Sequence, residues 1–291
     1  MKTAPFNYYR PVTVAESVQL LSTLGEDAKV ISGGQSLLPI MNMRLAEPSD
    51  LVDVSRIREL LRSESTGDHT TYGAAVTHMM FEDGLVPDAA GGLLRAAAAG
   101  IGYRAVRNRG TLGGSLAHSD SSAEWPTVMA ALGASVTAVS TRGTRIIPVR
   151  ELLQGFFTTA LAFDELIISI EVPRLDADRY WGLHKTSRKL GEFADSLAIA
   201  MSNMDPASRL ASPEIWLGAA RDVPTRLAST EEAVAGRAAA DISVAELVLS
   251  VAHDIGAAAD NSDVDARHHL QLHAVTVHRA LLGMRKAIFD E

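Results

Sequence analysis

Apolar and polar positions recur with two different periods along this chain, and the period separates helical segments from strands. Val14, Val18 and Leu21 share one helical face, and Thr13 with Glu16 has the spacing of a capping box, which predicts a helix over 14–24 after an extended segment at 6–10. Lys29-Val30-Ile31 and Leu51-Val52-Asp53-Val54 read as short buried strands, separated by the apolar segment 37–44. Charged and Ser-rich residues then occupy 56–69, which marks a boundary. Beyond it the pattern predicts a strand at 71–74, an alanine-rich helix at 93–99 and a helix at 124–132. Residues 135–140 and 144–149 read as a hairpin around Arg142-Gly143, and 165–172 alternate until Pro173 ends the strand. The charged stretch 174–179 is a linker. Strands are expected after it at 181–187, 196–204 and 214–219, then helices at 229–235, 243–258 and 265–287. The predicted fold class is α+β, with two α/β portions at 1–57 and 58–175 followed by a sheet-plus-helices domain at 176–291.

Composition narrows the functions open to such a fold. With 47% hydrophobic residues among 291, the chain is long enough for a sizeable core. The net charge of −8 comes from interspersed acids and bases, so no nucleic-acid surface is expected. No apolar run is long enough for a transmembrane segment, and the N-terminal stretch lacks the apolar core of a secretory signal, so the expected location is cytoplasmic. There is no cysteine. That excludes disulfides, a thiolate nucleophile, zinc–thiolate sites and an iron–sulfur cluster held by cysteines of this chain. Redox chemistry here would need an organic carrier, with any cluster on a partner subunit.

Two glycine-rich turns about eighty residues apart carry the candidate chemistry, Ser32-Gly33-Gly34-Gln35-Ser36 and Thr111-Leu112-Gly113-Gly114-Ser115. A Gly-Gly step allows close backbone approach and positive φ, so successive amides are expected to face anionic oxygens while Ser and Thr hydroxyls add donors. The first turn has neither the GxGxxG nor the GxxxxGK[ST] spacing, and a single Gly-Gly after a strand is more often a structural turn than a ligand loop. Together they suit a dinucleotide held from both sides. Glu124, nine residues beyond Ser115, is placed to accept hydrogen bonds from sugar-like hydroxyls. Asp120 reads as a helix cap and His118 as a structural histidine. His269 and His273 stand four residues apart on the last predicted helix, without the carboxylate of an H-E-x-x-H site, and read as a packing or contact face.

The run from Ser32 to Pro39 followed by Met43-Arg44-Leu45, and that from Gly110 to Asp120, resemble the FAD-binding medium subunits of the molybdenum hydroxylases. Residues 164–173 and His184-Lys185-Thr186-Ser187-Arg188 follow the same pattern, so the likeness spans essentially the whole chain. The resemblance implies a PCMH-type FAD-binding domain and noncovalent FAD. Ser32, Gly33, Gly34, Gln35 and Ser36 would cradle the pyrophosphate with Thr111, Gly113, Gly114 and Ser115. Glu124 would bind ribityl or ribose hydroxyls, Ile167 would offer backbone contacts, and Lys185 would lie near the flavin ring and raise its potential. No residue of this chain is expected to act on substrate. Electrons would come from [2Fe-2S] clusters on a small subunit, fed by a molybdopterin centre on a large subunit, in a dimer of heterotrimers. The alternatives to this electron-transfer role are a stand-alone flavin-dependent oxidoreductase and a non-redox nucleotide-binding protein.

Overall fold

Three main sheets succeed one another along the chain in this computed structural model, which describes residues 2–257 and 263–289. The first contains β1 (Asn7–Tyr9), α1 (Val14–Leu24), β2 (Ala28–Ile31), α2 (Leu37–Asn42) and β3 (Asp50–Asp53). Its strands run parallel in the order β1-β3-β2. Helix α1 starts where Thr13 Oγ1 accepts from the Glu16 amide at 3.1 Å, which satisfies one orphan donor of the first turn. The Glu16 carboxylate accepts from the Val12 amide at 2.8 Å instead of that of Thr13, so the expected box is displaced by one residue. Thr13→Ala should cost about 1 kcal/mol, read as a lower denaturant midpoint with an unchanged slope. Val18 and Leu21 pack this helix against Val52, Val54 and Ile57.

The second sheet is antiparallel, in the order β4-β5-β10-β6-β7, with β4 at Ser63–Ser65, β5 at His69–Gly73, β6 at Ser135–Ser140, β7 at Gly143–Pro148 and β10 at Leu166–Pro173. Between β5 and β6 lie α3 (His78–Glu82), α4 (Leu93–Gly100), α5 (Arg104–Arg107), α6 (Leu112–His118) and α7 (Glu124–Ala131). After β7 come α8 (Val149–Leu152) and a small hairpin of β8 (Leu153–Gly155) and β9 (Thr158–Thr159). Ala97 and Ala98 of α4 are fully buried, because side chains this small let the helix sit close to its neighbours. In β10 the pairing with β6 shifts register between Ile167 and Ser169. Such a bulge bends the strand and re-aims the side chains beside it.

The third sheet has the order β14-β13-β12-β11-β15, comprising β11 (Tyr180–Thr186), β12 (Ser196–Ser202), β13 (Glu214–Gly218), β14 (Thr225–Arg226) and β15 (Arg285–Lys286). Every residue of β12 is buried. Ile199 and Met201 face the core shared with the second sheet, whereas Ala198 and Ala200 face α9 (Ala228–Val234), α10 (Val244–Ile255) and α11 (Val264–Leu282). Helix α10 carries a complete capping box between Ser243 and Glu246 and ends at Gly256, φ +70°. Its expected end at Ala258 lies outside the described residues. The helix expected over 265–287 is shorter: it stops at Leu282, and Arg285 and Lys286 pair with Trp181 and Tyr180 of β11. Gly283 gives little support to a continuing helix, while the Arg285 guanidinium lies 4.0 Å from the Trp181 ring centre and holds the chain against the sheet. Among the described residues no helix is long and apolar enough to cross a membrane.

Candidate functional site

A cleft of about 430 Å³ opens where the three sheets and their helices meet. Every residue expected to hold the cofactor lies on its wall: Ser32, Gly33, Gly34, Gln35 and Ser36 between β2 and α2, Thr111, Gly113, Gly114 and Ser115 at the start of α6, Glu124 at the start of α7, Ile167 beside the bulge of β10, and Lys185 in β11.

The two glycine turns touch each other, and glycine is what permits it. A Cβ on Gly33 would stand 2.1 Å from the Arg109 carbonyl oxygen and 2.8 Å from Gly110 Cα. Thr111 Oγ1 donates to Ser32 Oγ at 3.2 Å across the junction, and Gln35 Nε2 donates to the Gly33 carbonyl at 3.0 Å. Gly34 adopts φ +71°, and the backbone amides of Gly33, Gly34, Gln35 and Ser36 donate to no other group among the described residues. Clustered free amides of this kind form an anion-binding nest.

The second turn differs from its expected form. Gly113 and Gly114 lie inside α6 without positive φ, and their amides are already used. Leu112 N–H donates to Val76 O and Gly113 N–H to Ala74 O, each at 3.0 Å, while Gly114 N–H donates to Thr111 Oγ1 at 3.2 Å and Ser115 N–H to Thr111 O at 3.0 Å. The physical reason for glycine here is contact: a Cβ on Gly113 would stand 2.6 Å from the Ala74 Cβ. The first turn therefore contributes a run of free amides, while the two glycines of the second contribute close approach and leave only the Thr111 amide of that turn without an acceptor among the described residues.

Glu124 and Lys185, given separate roles above, form one ion pair. Lys185 Nζ lies 2.7 Å from Glu124 Oε1 and also donates to the Gly100 carbonyl at 3.1 Å. Glu124 is only 4% exposed. Burial raises its carboxyl above the ordinary range, partly offset by the charge and hydrogen bond of Lys185.

Another wall residue, His78, escapes sequence reasoning. Its Nδ1 accepts from Trp125 Nε1 at 2.9 Å, and burial, with Arg107 adding to the effect, lowers its pKa to about 3, so the ring is neutral. A lone histidine 33 residues before Thr111 carries no motif, and only the fold brings it to the cleft. Ile101 and Phe193 also line the wall. His118 stacks on Phe157 with ring centres 4.6 Å apart, and burial lowers its pKa. Asp120 accepts from the Ser122 amide at 2.9 Å, capping the loop before α7 and not the helix itself, whose N-cap is Ala123. His273, which does not line the cleft, is buried with Nδ1 2.9 Å from Ser196 Oγ, a packing arrangement.

Comparison with known proteins assigns this architecture. The family described as the FAD binding domain in molybdopterin dehydrogenase matches residues 4–175. The nicotine 6-hydroxylase medium subunit of Paenarthrobacter nicotinovorans is 39% identical over 81% of this chain and 82% of its own length. The carbon monoxide dehydrogenase medium chain of Afipia carboxidovorans is 29% identical over 95% of both chains. The solved carbon monoxide dehydrogenase of Hydrogenophaga pseudoflava superposes with a TM-score of 0.86 at 30% identity, covering 97% of this chain and 98% of that one. With a PCMH-type α+β fold, the chain belongs to the FAD-binding subunits of the molybdenum hydroxylases, components of oxidoreductase complexes.

Proposed function

We propose that this chain is the electron-transfer flavoprotein of a cytoplasmic molybdenum hydroxylase complex, holding noncovalent FAD between the two glycine turns. The observation that carries this reading is the set of unpaired amides from Gly33 to Ser36, facing a cleft that a Cβ on Gly33 would disrupt. Bound FAD would accept two electrons and release them to an external acceptor. The first turn would bind the pyrophosphate with its amides and with Ser32 and Ser36. Thr111 and Ser115 would add hydroxyls, while Gly113 and Gly114 would let α6 approach. Glu124 would orient sugar hydroxyls, Ile167 would offer backbone groups, and Lys185 would supply positive charge near the site.

The absence of cysteine means that any [2Fe-2S] cluster passing electrons to this chain is held elsewhere. The partners we assign are a small [2Fe-2S] subunit and a large molybdopterin subunit in a dimer of heterotrimers. The named relatives are medium chains, which supports a place in a multi-subunit enzyme. Residues 1–57 and 58–175 would be the two halves of the FAD clasp, and 176–291 the domain that covers it. Purified from its native host, the chain should carry about one FAD, released intact by acid, and bring a molybdenum-containing and an iron-containing chain with it. A preparation that takes up no flavin after reconstitution would refute the cofactor; a flavin-loaded chain that turns over substrate alone would refute the subunit role.

A further inference from the structure

His78 reaches the cleft from a buried position in a way that fixes its hydrogen-bonding role. It is 5% exposed, and its Nδ1 is committed to the indole N–H of Trp125, a side chain with no exposure at all. Indole nitrogen can only donate, so Nδ1 must accept and must carry no proton. In a neutral imidazole the proton then resides on Nε2. That atom makes no hydrogen bond among the described residues, yet it is not sealed in the core, because His78 lines the cleft. It lies 2.5 Å from where a Cβ of Gly110 would be, so a bare backbone at Gly110 is needed for the ring to occupy this place. Gly110 is also the residue against which Gly33 of the first turn packs. Nε2–H is thus a donor of fixed tautomer with no protein partner among the described residues, open to water or to an acceptor on a ligand in the cleft.

We propose that His78 is a cofactor-binding residue whose Nε2–H donates to an acceptor oxygen of the dinucleotide, in the phosphate–ribose portion gripped by the first turn, with Trp125 holding the ring in the required tautomer. The inference rests on the FAD reading above and adds a contact outside both glycine turns. Trp125 is a positioning residue: it selects which nitrogen bears the proton and touches no ligand itself.

Two variants separate a hydrogen bond from mere shape. His78→Phe removes the donor; His78→Gln keeps an acceptor for Trp125 and an N–H for the cleft on one planar amide. FAD would be titrated by flavin-fluorescence quenching into the full chain, in the complex with which it purifies, after flavin removal. His78→Phe should bind FAD about tenfold more weakly than wild type, and His78→Gln within about threefold of it. Wild-type affinity in His78→Phe would overturn the proposal, as would an equal loss in both variants with unchanged thermal stability. Wild type failing to take up FAD would strike the cofactor reading itself. Nitrogen-edited NMR of the wild-type histidine rings tests the same point without a substitution: His78 should be the Nε2–H tautomer, and its Nε2–H resonance should shift when FAD is added. An Nδ1–H tautomer, or a resonance indifferent to FAD, would overturn it.

Discussion

Gly33→Val is expected to purify folded but nearly free of flavin, with FAD affinity lowered about 100-fold. The first added carbon would lie 2.1 Å from the Arg109 carbonyl oxygen and 2.6 Å from its carbon, both backbone atoms that cannot rotate aside. Relief requires the two turns to separate, and overpacking of this kind costs about 1–3 kcal/mol before any ligand is considered. Separation would also lengthen the Thr111–Ser32 hydroxyl contact and tilt the free amides of residues 33–36 away from a common focus. Gly67→Ala is the matched control, because nothing lies within 4 Å of its added carbon. Flavin absorbance per protein in the two variants is the measurement. Wild-type FAD content in Gly33→Val would show that the junction of the turns is not the cradle.

Lys185→Met should destabilise the fold by about 3 kcal/mol, because removing one member of a buried pair strands the other. The pair is well shielded, with side-chain exposures of 15% for Lys185 and 5% for Glu124. Burial already holds the Glu124 carboxyl above its ordinary value of 4.5, and loss of the lysine raises it further. The sign of the pH effect follows from that direction. A carboxyl with a raised folded-state pKa contributes stability below its unfolded pKa and loses that contribution as pH climbs through the folded value. The deficit of Lys185→Met should therefore be larger at about pH 8 than at about pH 5 in urea unfolding. Adding Glu124→Gln should recover much of the loss by removing the stranded charge. The proposed electrostatic role of Lys185 is read from the single variant: loaded with FAD, Lys185→Met should show a lower flavin potential than wild type. A potential unchanged in that folded variant would leave Lys185 with a structural role alone, and a pH-independent deficit in Lys185→Met would contradict the pairing with Glu124.

Local order was readable wherever a single face or a single cap decided it. Helix α1 spans the predicted residues because Val18 and Leu21 recur on its buried side and Thr13 caps it. The hairpin of β6 and β7 turns at Thr141-Arg142, one residue before the expected Arg142-Gly143, and Gly143 at φ +135° opens β7. The end expected for the last helix at Ala287 overshoots the local stop at Gly283, beyond which the packing of Arg285 on Trp181 holds the chain against the sheet. The second glycine turn keeps its place on the cleft wall and uses the close approach, without the positive φ, that a Gly-Gly step allows. A Gly-Gly pair looks alike in sequence whether it supplies positive φ or room for a neighbour, and Ala74, far upstream, makes it the second.

By its residues alone the chain determined an α+β architecture, the absence of thiol chemistry, and two hydroxyl-flanked glycine motifs with the companions that mark a flavin subunit, since these depend on composition and on patterns within a few residues. The tertiary structure decided that a run of four free amides lies in the first turn while both glycine amides of the second are used, that Glu124 and Lys185 share one buried ion pair, and that His78 lines the cleft with its Nδ1 bonded to Trp125. Each of these depends on groups between 47 and 85 residues apart, or on amides that remain unpaired once all the others have found partners. Hydrogen-bond satisfaction is a property of the whole packed molecule, so no local pattern records it.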